Sequence, residues 1–245
     1  LSQEEFYERL KNDETISTSQ PGPADVCGLW NTLLEEYDEV VHIPMSSGLS
    51  ASCDTATMLA RDYDGKVEVV NNQRISVTQR QSVLDALALR AAGKTAAEIK
   101  TKLEEEKMES SIYITLETLK YLKKGGRISS VTALAANVLN IKPVMHFSTG
   151  KLDIYQKCRG MKKSRKVMID AMKHELETNF REEYAAGKVY LMAASSSTDE
   201  VTEEWVNQIR ESFPGMEVMC DKLSFGLSCH IGPDGLGIGC TCKPV

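Results

Sequence analysis

Two short segments of this 245-residue chain concentrate hydroxyls just ahead of helical patterns, Ser17-Thr18-Ser19-Gln20-Pro21-Gly22-Pro23 and Ser46-Ser47-Gly48-Leu49-Ser50. A helix start exposes free N–H groups and a partial positive charge. Joined by Ser and Thr hydroxyls, two such turns can hold a carboxylate or phosphate beyond the carboxyl ends of parallel strands. Any single hydroxyl here could be an ordinary cap, so only the pair makes the case. His230 precedes a second kind of feature, Gly232-Pro233-Asp234-Gly235-Leu236-Gly237, whose glycines let backbone approach a ligand closely. A lone histidine is more often packed or capped than catalytic.

Charge supplies the third signal. Residues 120–166 hold twelve of the 29 Lys and Arg residues and one of the 35 acids, Asp153, in a chain of net charge −6. Lys162, Lys163, Arg165 and Lys166 alone read as a solvated helix face. Lys123-Lys124-Gly125-Gly126-Arg127, Lys142 and Arg159 spread the charge over several elements and point to an anion or an acidic partner.

The familiar catalytic signatures are missing. There is no Walker loop, no G-x-G-x-x-G and no H-E-x-x-H, and the Ser46–Ser50 turn lacks the glycine that a nucleophile elbow needs ahead of its serine. Neither a magnesium cage nor a metal site is expected, because Cys240-Thr241-Cys242 has no His pair nearby. The residues read as anion capture without visible bond-breaking.

The elements that must position these residues alternate. Val26, Leu29, Trp30, Leu33 and Leu34 predict a helix, followed by a strand over Tyr37–Met45 and a helix capped by Ser50 with Met58 and Leu59 inward. A strand at Val67–Val70, a helix with Val83, Leu84, Leu87 and Ala91, and a capping box at Thr95–Glu98 follow, which predicts a parallel sheet covered on both faces. From about Ser111 the pattern changes: Ile112, Ile114 and Leu116 alternate as a strand, and Val131 to Leu139 mark a helix. Pro143–Phe147 and Leu152–Lys157 read as a hairpin, and helices then mix with strands at Val189–Ala194, Val218 and Ile238. The expectation is an α/β protein of two domains, 1–110 and 111–245, the first a mostly parallel sheet and the second mixed. No apolar run approaches the roughly 20 residues of a membrane span. Seven cysteines without C-x-x-C pairs suggest a reducing cytoplasm.

At these residues the chain resembles a known family. Thr-Ser-Gln-Pro at 18–21, Ser-Ser-Gly-Leu-Ser at 46–50, Leu-Lys-Lys-Gly-Gly-Arg-Ile-Ser at 122–129, Asn140-Ile-Lys-Pro143, Arg159-Gly160 with Lys162-Lys163, and His230-x-Gly-Pro233 follow the order and spacing of the DegV family. The resemblance implies a two-domain α/β fold with a long-chain fatty acid in a tunnel between the domains. It also implies that a separate fatty acid kinase, rather than this chain, makes acyl phosphate. By the same resemblance Thr18 and a serine of the second turn, Ser50 or its rival Ser47, look like carboxylate donors. His230 resembles the histidine near the carboxylate and Arg159 the arginine at the mouth. Lys123, Lys124, Arg127, Lys162 and Lys163 become a docking face for kinase and nucleotide phosphates; transient contact with a membrane surface is also compatible.

Two departures from the family pattern stand out. The family's first strand and an Asp-Ser-Thr turn precede the point where this sequence starts, so the resemblance implies that this strand is absent, cleaved or not recorded, leaving an exposed sheet edge. Asp234 stands where a glycine is usual; Asp tolerates left-handed geometry better than most residues, so the turn can survive, but a carboxylate near the acyl headgroup could weaken binding or belong to a variant ligand. Two rival readings remain: a hydrolase or phosphate-transfer enzyme with Ser47 or Ser50 as nucleophile and His230 as base, and a nucleic-acid binder using residues 120–166. The second is opposed by sparse aromatics and an acidic remainder.

Overall fold

A computed structural model describes residues 1–127, 141–148 and 150–244. In the first unit β1 (Val40–His42) and β2 (Val67–Val69) run parallel, with Val40 opposite Val67. Helices α2 (Pro23–Leu34) and α3 (Ser52–Ala60) cover one side through Val26, Trp30, Cys53 and Ala56. On the other side, Ala86 of α4 (Ser76–Ala91) and Ile99 and Leu103 of α5 (Ala96–Glu105) close over Val70. The layered parallel sheet therefore follows the sequence, although β1 is shorter than the expected strand. Thr95 and Glu98 form the expected capping box, each side chain bonding the other's backbone N–H. Met58 corrects an expectation: α3 turns Cys53 and Ala56 inward, which leaves Met58 exposed while Leu59 packs at the core's margin.

The second unit is a six-stranded sheet of order β5-β4-β3-β8-β6-β7, antiparallel except for β6 with β7. Its strands are β3 (Ser110–Thr115), β4 (Ile141–Ser148), β5 (Lys151–Arg159), β6 (Val189–Ser195), β7 (Val218–Lys222) and β8 (Leu236–Cys242). The predicted hairpin is β4–β5. Alternation along β3 sends Tyr113 to the face covered by α7 (Met161–Glu177) and α9 (Asp199–Ser212), and Ile114 to the opposite face. Cys240 and Cys242 are buried as small hydrophobes, and burial pushes the Cys242 thiol up to about 12. The helix expected over 131–139 lies outside the described residues.

β3 starts at Ser110, and two helices that precede it pack against elements that follow it. α1 (Gln3–Lys11), grouped by sequence with the first unit, packs on α6 (Lys120–Gly125) and α10 (Phe225–Ile231) of the second. Phe6 stacks on Phe225 with ring centroids 4.6 Å apart, and the Tyr7 hydroxyl lies 2.8 Å from Ser228 Oγ. α4 also reaches across, placing Val77 among Ile114, Leu122 and Met192. α8 (Arg181–Ala185) is a short turn following α7.

Candidate functional site

Where the two units meet, a cavity of about 190 Å³ lies under the open face of the large sheet. Met45, Ile75 and Val77 line it from the first unit; Ile112, Ile114, Phe147, Leu152 and Ala194 line it from the sheet; Leu227 and Ile231 of α10 complete much of the wall. Against this apolar lining stand a few polar groups: Thr18, Ser19, Gln20, Ser50, Ser76, Arg127 and His230.

Several of these groups form one contiguous cluster. Thr18 lies on the extended segment between α1 and α2, which is tied to α3 by the Thr55 hydroxyl donating to Gln20 Oε1 at 3.1 Å. From there Thr18 Oγ1 meets His230 Nε2 at 2.8 Å. The imidazole lies against Gly125 at the end of α6, so close that a methyl group there would overlap Nδ1. Arg127 donates from Nη1 to Gly125 O at 2.6 Å and from Nε to Leu49 O at 3.4 Å, which brings it to the Ser46–Ser50 turn. Burial, reinforced by the positive charge of Arg127, holds His230 below its ordinary value, so the ring is neutral at pH 7. Its Nδ1 is buried with no partner among the described residues.

The sequence left Ser47 and Ser50 as rivals, and the structure separates them. Ser50 lines the cavity, and its hydroxyl also accepts from the N–H of Ser52 at 3.2 Å, the first residue of α3. Ser47 is outside the cavity lining and accepts from Asn71 Nδ2 at 3.0 Å. Arg159 is not brought to the cavity. It ends β5 opposite Ile141, seven residues along the strand from Leu152, or roughly 23 Å at about 3.3 Å per residue. Arg127, read from sequence as a docking residue, is the arginine that lines the cavity. Asp234 also differs from expectation. Its backbone is left-handed at φ 62°, as a glycine's would be, but its carboxylate accepts from Ser197 Oγ at 3.0 Å, lies 4.0 Å from Lys11 Nζ and is not part of the lining.

Sequence reasoning missed Gln20 and Ser76 as lining groups and α10 as the carrier of His230. α10 is seven residues long and contains Gly226, so it offers almost no periodic signal.

The basic residues divide into paired and exposed groups. Lys120 pairs with Asp13, Lys142 with Glu117, Arg165 with Glu204 and Lys166 with Asp170. Lys123 and Lys124 on α6 are exposed, as are Lys162 and Lys163 in the first turn of α7. Both helices lie near the carboxyl end of β3, where Thr115 meets the sulfur of Met161 at 4.0 Å. Among the described residues no cluster of three or more His, Cys, Asp or Glu side chains could hold a metal ion, and no helix is long and apolar enough to cross a membrane.

Comparison with known proteins shows the family and the fold. Residues 1–243 match the family model described as "Uncharacterised protein, DegV family". A DegV domain-containing protein of Listeria monocytogenes is 28% identical over 248 residues, spanning 99% of this chain and 84% of the relative. Among solved structures, a DegV family protein of Thermus thermophilus described for its fatty acid binding superposes with a TM-score of 0.86 at 25% identity, covering 99% of this chain and 85% of that one. A DegV family protein of Ruminococcus gnavus, refined with vaccenic acid, gives 0.81 at 25% identity, with 98% and 84% covered.

Proposed function

Because the chain belongs to the DegV family, we propose that it binds one long-chain fatty acid in the cavity between its units and presents the carboxylate to a separate fatty acid kinase. The observation that carries this reading is the Thr18–His230 contact at a polar cluster in an otherwise apolar cavity. Fatty acid binding by the Thermus and Ruminococcus relatives supports the ligand class. Thr18 and Ser50 donate to the carboxylate, His230 donates once its tautomer or charge adjusts, and Arg127 supplies the positive charge nearby, in preference to the more distant Arg159. Ser47 braces the turn from outside. Charge-assisted hydrogen bonds of this kind are stronger than neutral ones, and the apolar lining takes the chain out of water.

On this reading the chain performs no bond-breaking itself and works in the cytoplasm. His230 Nε2 faces Thr18 rather than a serine, and among the described residues no acid contacts Nδ1 to orient the ring as a general base. Lys123, Lys124, Lys162 and Lys163 form the surface for the kinase. The test is mass spectrometry of lipid extracted from purified protein, followed by incubation with ATP with and without a fatty acid kinase. One fatty acid per chain and acyl phosphate only with the kinase are expected. A lipid-free extract from chain that also takes up no added palmitate would remove the basis of the proposal.

A further inference from the structure

The Ser46–Ser50 turn is braced by residues 71–75, a segment between β2 and α4 outside any helix or strand. Asn71 Nδ2 bonds Ser47, and the carbonyl of Arg74 accepts from Ser46 N at 2.9 Å. On either side of Arg74 the backbone is left-handed, at Gln73 (φ 57°) and Ser76 (φ 56°). An L-residue stays in that region only when its surroundings hold it there.

The Arg74 side chain is the natural anchor. The residue is 1% exposed; its Nη2 donates to Glu106 O at 3.2 Å and its Nη1 to Ser82 Oγ at 3.4 Å, while Nη1 lies 3.6 Å from Asp85 Oδ2. Ser82 is held in turn by Asn72 Nδ2 at 2.8 Å, so the guanidinium and the loop share one partner. Burying such an ion pair is a weak source of stability compared with apolar side chains of the same shape. Its geometry suits a different task, since Nη1 and Nη2 reach two separate elements, Ser82 of α4 and the carbonyl of Glu106, and tie the segment to both.

We propose that Arg74 is the positioning residue of the headgroup site, its clamped guanidinium fixing the carbonyl that holds Ser46 and thereby the direction of Ser50 into the cavity. The inference rests on the reading that Ser50 meets a ligand carboxylate. Arg74 touches no ligand. It acts by keeping the hydroxyl turn in one arrangement before the ligand arrives, which lowers the ordering cost of binding. The clamp should therefore matter for the head of the ligand and not for its tail.

That separation is the test, made on the full chain after stripping lipid, with palmitate and methyl palmitate as probes. Arg74→Met combined with Asp85→Leu removes both buried charges together, and with them the hydrogen bond from Gln81 Nε2 to Asp85 Oδ1. Arg74→Lys keeps the charge and loses the fork. In the folded double variant palmitate affinity should fall about tenfold while methyl palmitate changes less than about twofold, with Arg74→Lys between it and the wild type. Equal losses for both probes, or an unchanged acid affinity in folded double variant, would overturn the role of Arg74. If the double variant does not fold, Arg74→Lys decides by the same ratio, an unchanged ratio refuting the proposal. A wild-type chain that takes both probes equally would instead overturn the headgroup reading beneath it, before any variant is compared.

Discussion

One face of the six-stranded sheet is closed by packing and the other borders a cavity. On the closed face Tyr113, Met168, Met172, Leu191, Trp205 and Ile209 interlock, and Trp205 Nε1 donates to Gly237 O at 2.9 Å. On the open face the same strands turn Ile112, Ile114 and Ala194 toward a cavity whose far wall comes from α4, α10 and the segment carrying Thr18. The alternation of a strand thus lets adjacent residues hold stability and binding space separately. The closed face is mostly local to one unit, whereas the open face is completed by segments from nearly the whole length of the chain.

The sharpest way to break this contrast is to truncate each face. Trp205→Ala should cost about 3–5 kcal/mol in a denaturant titration, because removing a fully buried indole leaves a cavity and loses its hydrogen bond to Gly237 O. Ile114→Ala already borders empty space and should fall near the low end for such a change, about 2 kcal/mol, while altering palmitate affinity. Equal stability losses would erase the distinction. At the polar cluster, Thr18→Ala should lose about 1.5–3 kcal/mol of palmitate affinity, or roughly ten- to a hundredfold, with the midpoint of unfolding little changed. Calorimetric titration gives that number directly.

Gly125→Ala probes the same cluster from beneath. The methyl group must displace the His230 ring, an overpacking that should cost about 1–3 kcal/mol of stability against at most about 0.5–1 kcal/mol gained in helix propensity. We expect palmitate affinity to drop about tenfold, the size of one lost charge-assisted hydrogen bond. Unaltered affinity would mean that the ring position is irrelevant to binding.

A smaller effect is expected from pH. His230 is held below its ordinary value in the empty site, and a bound carboxylate raises it. The extra stability of the complex is then complete below the unliganded value and fades as pH rises through the liganded one. Palmitate should bind more tightly at about pH 6 than at about pH 8, by less than about tenfold, with proton uptake visible as a buffer-dependent binding enthalpy. The dependence should vanish in His230→Gln. Smallest of all for the fold are charge reversals at Lys123 and Lys124, both exposed, which should shift stability by no more than about 0.5 kcal/mol and leave bound lipid unchanged. Kinase-dependent acyl phosphate formation should slow, more so at low salt. Loss of lipid with intact kinase binding would reverse the assignment of the two surfaces.

Much of the architecture was legible because it rests on local rules. The box at Thr95 and Glu98, the β4–β5 hairpin and the alternation of Ile112 and Ile114 each need only nearby residues. Each hydroxyl turn was legible by itself, but that Thr18 and Ser50 border one cavity depends on contacts far apart in sequence. What sequence could not supply was the choice among neighbours of like chemistry. Ser47 and Ser50 differ only in which way the turn faces, a matter settled by Asn71 and Arg74 far along the chain. Arg127 and Arg159 are equally good cations, and only the direction of β5 separates them. Met58 was misread because an apolar side chain beside an inward-facing neighbour does not reveal its own side of a short helix.

The close approach of Gly125 and His230 has a consequence for communication. α6 spans only six residues, yet it offers Lys123 and Lys124 to solvent on one side and its last glycine to the imidazole on the other. On the proposed reading, a shift of the ring as a headgroup arrives would press on the backbone of the helix, since glycine has no side chain that could yield. A partner that grips those lysines therefore touches the same rigid piece that feels the headgroup. By reciprocity, whatever such contact does to the affinity for lipid, lipid does to the affinity for the partner.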